Sequence, residues 1–358
     1  MAGNIGQLEQ YDRFLRRKRL ALLAAGLLTA AALLVSLGVG SMRLSLGEIV
    51  QALLRTGEQK HQTVLWNVRL PRAAAAVLVG AVLASSGAVM QCVLRSPLAS
   101  ASTLGISQGA AFGAAVGIIV FGGGVVTSAA ASATVAVNNP YIVTLCAFLC
   151  GALSSVVVLA ISRLKRSIGP GGLILAGTAL SAMFSGGSTL LQYFSDDSAL
   201  GAVVFWTFGN LGNANWKELG FLTAVFAASF LFYLFHRWNY NAMEVGADTA
   251  QSLGVDTRRV MQASMVVYTL STAAAVSLVG IISFVGLIAP HIMRVFVGGD
   301  HRYLIPGSAL AGALLLLLAD LLARVAMPPV ILPIGALMSF VGGPMFLFLL
   351  FKERGAHG

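Results

Sequence analysis

Charge is what this chain of 358 residues has least of: Asp, Glu, Lys and Arg make up 10% of it, against about 25% in a soluble domain. That scarcity excludes an ordinary water-soluble globule. Only three cysteines occur, Cys92, Cys146 and Cys150, all inside apolar segments. An odd number of such thiols gives no disulfide framework and no metal-ligand spacing, so no resident metal is expected. Cys146 and Cys150 share a helix face, which packing explains. The G-x-x-x-x-G-K-S/T phosphate loop is missing, so the chain is not expected to hydrolyse ATP itself. HExxH is missing too, and no pair of intramembrane carboxylates occurs. Asp320 is the one acidic residue in or at the edge of an apolar span. No catalytic residue is assigned.

What the chain has is apolar surface: 57% hydrophobic residues, a mean hydropathy of +0.85 and 40 glycines suited to close helix packing in lipid. Apolar runs at 20–40, 73–94, 103–121, 141–162, 172–194, 219–235, 261–279, 281–297, 304–322 and 331–351 predict an all-α integral membrane protein of about ten spans. The first run is too long for a signal peptide. Residues 1–19 then form a polar tail, 20–351 one polytopic domain, and 352–358 a second tail. The stretch 122–138 leaves room for an extra turn or a re-entrant piece. An amphipathic piece near 46–54 is expected on the membrane surface, and Pro71 is expected to open a helix.

Ten spans put both termini on one side, and that side collects 16 of the 23 Lys and Arg, including Arg16, Arg17, Lys18, Arg163, Arg258, Arg294 and Arg302. The other side keeps Arg43, Arg55, Lys60, Arg69, Arg72, Lys217 and Arg324. By the positive-inside rule both termini and the 237–259 loop are cytoplasmic in the inner membrane. The same bias accounts for the net charge of +10 without nucleic acid as a partner.

Three stretches can carry function. The polar loop 237–259 reads RWNYNAMEVGADTAQSLGVDTRR. Two helix-length pieces flank Gly246, with Asp248 or Thr249 as cap of the second and Gly254 as its stop. Met243, Val245, Ala250 and Leu253 are expected to share one apolar face. Composition alone leaves two readings: a handle for a partner protein, or a solvated loop. Second, Arg324 follows Asp320 by four residues, so the two can meet on one helix face, as a functional group or as a structural ion pair. Third, Thr178, Ser181, Ser185, Ser188 and Gln192 recur every three or four residues. That stripe can line a water-filled route or serve hydroxyl-mediated helix packing. The span carrying it begins at a flexible break, Gly169-Pro-Gly-Gly172.

Several ordered motifs resemble one family. They are Arg69-Leu-Pro-Arg72, Ser86-Gly-Ala-Val-Met-Gln91, Ser96-Pro-Leu-Ala99 and Leu104-Gly-Ile-Ser-Gln-Gly-Ala110. Glu244-Val-Gly-Ala247, Ser252-Leu-Gly-Val255, Gly280 to Arg294, Asp300-His-Arg302 and Leu332-Pro-Ile-Gly335 follow in the second half. From about residue 60 to 351 the chain is similar to the FecCD family, permease subunits of ABC importers for iron–siderophore complexes, haem and cobalamin. The resemblance implies a type II importer fold, a homodimer around a central path, two ATP-binding subunits that carry ATP and Mg²⁺, and a periplasmic or lipid-anchored binding protein. No cofactor is then bound by this chain, and its remaining partner is membrane lipid. Glu244, Val245, Gly246, Ala247, Leu253 and Gly254 become the element that couples to the ATPase. Arg69, Arg72 and Arg324 become docking residues for the binding protein. The gate falls at Ile168, Gly169, Pro170 and Gly171, which lack the hydroxyl pair associated with the cobalamin permease. His291 reads as structural. An iron–siderophore chelate is the expected cargo, with haem or cobalamin behind it and a secondary transporter, for which Asp320 is the sole intramembrane acid, as the rival class.

Overall fold

The computed structural model describes residues 2–40, 45–122, 124–129, 132–137, 139–164, 169–328 and 330–355. Helix α1 (Ala2–Gly38) leads to two short helices, α2 (Leu46–Leu53) and α3 (Gln59–Val64). The chain continues through α4 (Leu70–Val93), α5 (Ile106–Ala115), α6 (Pro140–Leu164), α7 (Pro170–Tyr193) and α8 (Asp197–Thr207). Next come α9 (Trp216–Phe235), α10 (Arg237–Val245), α11 (Ala247–Ser252) and α12 (Thr257–Val279). The last three are α13 (Val285–Val297), α14 (His301–Val325) and α15 (Ile334–Gly355). Seven helical segments are long and apolar enough to cross a bilayer, and three shorter apolar ones accompany them at Ile106–Val120, Val285–Val297 and Ile334–Phe348. These match the ten expected spans one for one.

The differences are local. Helix α1 begins inside the expected tail. Residues 124–137 hold a hairpin rather than a re-entrant turn, with Gly124–Ala129 (β1) antiparallel to Ser132–Val137 (β2) and Val126 opposite Val135. Pro71 does not open a helix: the backbone is already helical from Gln59 and widens into a π turn at Leu65–Arg69. Pro71 has no N–H to give the preceding turn, and a wide turn absorbs the missing donor. Residues 281–284 are not helical, although they lie in an expected span. Gly280 and Phe284 both take positive φ there, +80° and +67°. The amphipathic piece is helical: α2 starts on a capping box in which Ser45 and Glu48 each bond the other's backbone N–H.

Helix α4 is the centre. Its sequence, LPRAAAAVLVGAVLASSGAVMQCV, is small and apolar on every side, and a helix apolar all round is one buried all round. Its closest partner is α14, which runs antiparallel to it. The two backbones meet where a Cβ added to Gly80 would lie 2.3 Å from the Gly312 carbonyl oxygen. Helices α5 and α6 close in the same way through Gly109 and Gly113, which face the Cys150 and Cys146 carbonyls. The shared face of those two cysteines is thus a packing face.

A buried ion cluster ties one end of this pair. Arg72 of α4 places Nε 2.7 Å from Asp320 Oδ1, and Arg324 places Nε 3.0 Å from Asp320 Oδ2. Asp320 is fully buried. Arg324 also donates to the carbonyls of Ser36 (3.2 Å) and Val39 (3.0 Å), and Arg69 to those of Leu37 (2.5 Å) and Gly38 (3.2 Å). These carbonyls close α1 and have no intrahelical donor. One carboxylate and three guanidinium groups therefore hold α1, α4 and α14 together.

Removing one partner of such a cluster leaves buried charge uncompensated, which costs about 3–5 kcal/mol. Asp320→Asn is expected to lower the melting temperature of the purified chain clearly, with an unchanged Tm the result against it. Gly80→Ala is expected to destabilise as well, read by the same melting scan, because the new Cβ meets backbone. Gly220→Ala on α9, where nothing lies within 4 Å, is the matched control and is expected to leave Tm unchanged.

Candidate functional site

The charged loop folds as two helices on either side of Gly246, whose φ of +155° lies where side chains are rarely tolerated. Gly254, at φ +82°, ends the second. The cap expected at Asp248 or Thr249 is not made. Gly246 occupies the N-cap, and no side chain bonds the first turn of α11. The expected shared apolar face is split as well. Met243 and Ala250 are buried against Tyr240, Val260 and Ile305, whereas Val245 is 75% and Leu253 69% exposed. Helix packing takes one pair inward and leaves the other as an apolar tip. Glu244 is exposed beside it, and Ala247 is half-buried.

Buried polar groups hold this element against the bundle. Tyr240 Oη lies 2.8 Å from Ser264 Oγ on α12, and Tyr233 Oη donates to Ser86 Oγ of α4 at 3.2 Å. Asp300, at the N-terminus of α14, is the hub. It accepts from Arg302 Nη2 (2.8 Å), from Asn241 Nδ2 (3.1 Å) and from Lys18 Nζ of α1 (3.5 Å). Burial raises the Asp300 carboxyl, but its bonds from Arg302 and Asn241 outweigh this and hold it well below the usual range. The Arg302 guanidinium lies 4.8 Å from the centre of the Trp238 ring on α10. Reasoning from sequence missed Lys18, Asn241 and Trp238. No local pattern marks them, because their partners lie on other helices.

At the opposite end of α4 and α14 the expected docking arginines do not face outward. Arg69 and Arg72 are buried, and Arg324 keeps a side chain only 10% exposed. Their guanidinium groups serve Asp320 and the end of α1, and Arg324 does meet Asp320 on one helix face. The exposed cations at that end, among the described residues, are Arg55, Lys60 and Lys217. Arg55 lies over the Trp66 ring at 5.1 Å, and the Trp66 and Trp216 rings are 6.1 Å apart.

The α7 stripe is divided. Thr178 and Ser185 are exposed, Ser188 is buried, and Ser181 and Gln192 are intermediate. Ser181 donates to the Ser102 carbonyl (3.0 Å), and Thr178 and Ser188 donate to carbonyls of their own helix at 2.8 and 2.9 Å. Of the gate residues, Ile168 lies outside the described residues, along with neighbouring Lys165 and Arg166. Gly169 is the N-cap of α7, Pro170 its first residue, and Gly171 is exposed in the first turn. His291 is buried in α13.

Comparison with known proteins agrees with this architecture. The FecCD transport family matches residues 28–352, reaching further toward the N-terminus than the motifs do. The ABC transporter permease protein MJ0087 of Methanocaldococcus jannaschii is 50% identical over 88% of this chain and 90% of its own. The hemin transport system permease HmuU of Yersinia pestis is 36% identical (90% and 94% covered). The Fe(3+)-citrate import system permease YfmE of Bacillus subtilis is 34% identical (97% and 99%). A solved metal-chelate type ABC transporter in an inward-facing conformation superposes with a TM-score of 0.80 at 32% identity, covering 92% of this chain and 98% of that one. With ten apolar helices in the expected order and a family match that spans nearly all of them, this chain belongs to the FecCD transport family and is the membrane permease of an ABC importer.

Proposed function

We propose that this permease moves an iron chelate, of the siderophore type foremost and haem or cobalamin next, inward through a dimer of two copies. The observation that carries the importer mechanism is the apolar tip of Val245 and Leu253, held out by Gly246 and Gly254 on an otherwise polar element. Exposed apolar groups on a short, anchored helix pair are what a groove in a partner protein takes up. The partner is an ATP-binding subunit, one for each permease copy. It binds ATP and Mg²⁺ and hydrolyses the nucleotide, and this chain supplies no catalytic group. The excess of basic residues near α10 to α12 supports a cytoplasmic side for that tip and for both termini, by the positive-inside rule.

At the outer end a periplasmic or lipid-anchored binding protein delivers cargo. Arg55, Lys60 and Lys217 offer it exposed positive charge, while Arg69, Arg72 and Arg324 order the helices beneath. The exposed hydroxyls of α7, Thr178 and Ser185, face the path, with Ser181, Ser188 and Gln192 setting how α7 packs and Gly169-Pro170-Gly171 letting its inner end move. An iron chelate suits the reading because two of the named relatives carry hemin or Fe(3+)-citrate in their names, and haem is itself such a chelate.

Val245→Asp with Leu253→Asp is expected to weaken binding of the ATP-binding subunit at least about tenfold, since truncated apolar anchors cost 1–2 kcal/mol or more. Co-purification and uptake in proteoliposomes read it, and uptake that persists overturns the coupling reading in favour of a secondary carrier. Lys60→Glu with Lys217→Glu is expected to slow association of the binding protein, the more so at low salt. An unchanged association rate rules those cations out as the docking surface.

A further inference from the structure

Three side chains that sequence keeps far apart converge where α10 meets the α4/α14 pair. Cys92 lies at the end of α4, Glu244 at the end of α10 and His301 at the start of α14. The Cys92 thiol, a Glu244 carboxylate oxygen and a His301 ring nitrogen lie within 4.8 Å of one another. Cys92 and His301 are buried, and Glu244 is exposed. Its carboxylate Oε1 would lie 3.6 Å from a Cβ on Gly299, just before α14. Cys92 and Glu244 line a cleft of about 330 Å³ that also includes Gln91, Arg95, Met243 and Arg294.

The hydrogen bonds around His301 settle which ring nitrogen is available. Asn241 Nδ2 donates to Asp300 Oδ1 at 3.1 Å, which turns Asn241 Oδ1 toward His301. That oxygen accepts the His301 backbone N–H at 2.7 Å and lies 3.1 Å from Nδ1. An amide oxygen can only accept, so Nδ1 carries the proton, and in the neutral ring Nε2 is left with a bare lone pair. Nε2 is buried and has no hydrogen-bond partner. A buried acceptor left unmatched is costly. A ring nitrogen oriented from behind by a carboxylate and amide relay is also how metal-ligating histidines are held.

We propose that Cys92 Sγ, Glu244 and His301 Nε2 form a site for a divalent, borderline-soft transition-metal ion of the Zn²⁺ class, with a fourth position open to the cleft. Thiolate, imidazole and carboxylate are the donor set such ions accept. Cys92 now donates its thiol hydrogen to the Tyr240 carbonyl at 3.4 Å. On binding, that proton leaves to solvent and the sulfur lone pair goes to the metal. Thiolate and carboxylate together neutralise the dication, so Arg95 and Arg294 beside the cleft see no added charge. Bound metal fastens α10 to the scaffold, and with it the tip that meets the ATP-binding subunit. This regulatory consequence rests on the coupling reading of α10, whereas the binding does not.

The test is a Co²⁺ titration of the full chain in detergent micelles, followed by absorbance. The expected result is a cobalt–thiolate charge-transfer band that saturates at one equivalent, is displaced by Zn²⁺, survives Cys146→Ser with Cys150→Ser, and vanishes in Cys92→Ser. Asn241→Ala, which removes the bond orienting Nδ1 together with those to Asp300 and the His301 backbone N–H, is expected to keep the band but weaken affinity about 10–100-fold. Absence of the band in the wild type, or its persistence in Cys92→Ser, overturns the site, and the wild-type result decides even if a variant does not fold. Binding of the ATP-binding subunit, measured separately with and without Zn²⁺, distinguishes failure of the coupling reading from failure of the metal site.

Discussion

Everything at the C-terminal end of α14 depends on one carboxylate. Asp320 is fully buried, and no charge is stable there without compensation. Its two arginine partners come from different helices, so the charge balance also fixes how those helices sit. Arg72 sets α4 against α14. Arg324, on the same face of α14 as Asp320, reaches across to the carbonyls that close α1. Arg69 does the same from the π turn before α4. An ion cluster in place of apolar contact is a costly way to join helices, but it is selective. Only one register of α1, α4 and α14 satisfies all of these groups.

The same two helices carry that register to the other side. Helix α14 has 25 residues, about 37 Å at 1.5 Å per residue, enough to cross a hydrocarbon core of about 30 Å. Between its ends it lies against α4 with backbone touching backbone at Gly80 and Gly312. Such a contact leaves no side chains to repack, so the pair behaves as one rigid strut. Helices α10 and α11 hang from the N-terminal end of α14 through Asn241 and Asp300, and from α12 through the hydroxyl of Tyr240. Motion of α10 therefore reaches the bundle through a stiff member rather than a soft core.

What was legible in the sequence follows from the range of the forces involved. The ten spans were readable because burial in lipid is written into continuous runs of residues. The break at Gly246 was readable because a positive φ leaves a glycine behind. The direction of a side chain is different. Met243 and Val245 are two residues apart and equally apolar, yet one is buried and the other exposed, decided by where α4 and α14 stand. Arg69, Arg72 and Arg324 looked outward by position in the charge count; Arg69 and Arg324 turn inward because α1 offers open carbonyls, and Arg72 because Asp320 is buried beside it. The α7 stripe was regular in spacing, but Ser188 is buried and Ser181 bonds the Ser102 carbonyl while Thr178 and Ser185 stay exposed. Cys92, Glu244 and His301 could not be joined at all, since nothing local links residues 57 to 209 positions apart.

The cluster at Asp320 also sets an order of events during synthesis. Arg72 is made 248 residues before the carboxylate it needs, and Ser36 is made 288 before Arg324. At about 5–20 residues per second, that is roughly 12–50 s in which Arg72 has no anion, and slightly longer in which the Ser36 carbonyl lacks its donor from Arg324. Until α14 arrives, both must stay near the headgroups and their water. The N-terminal helices can thus enter the membrane early, but they settle into their final places only when the chain is almost finished.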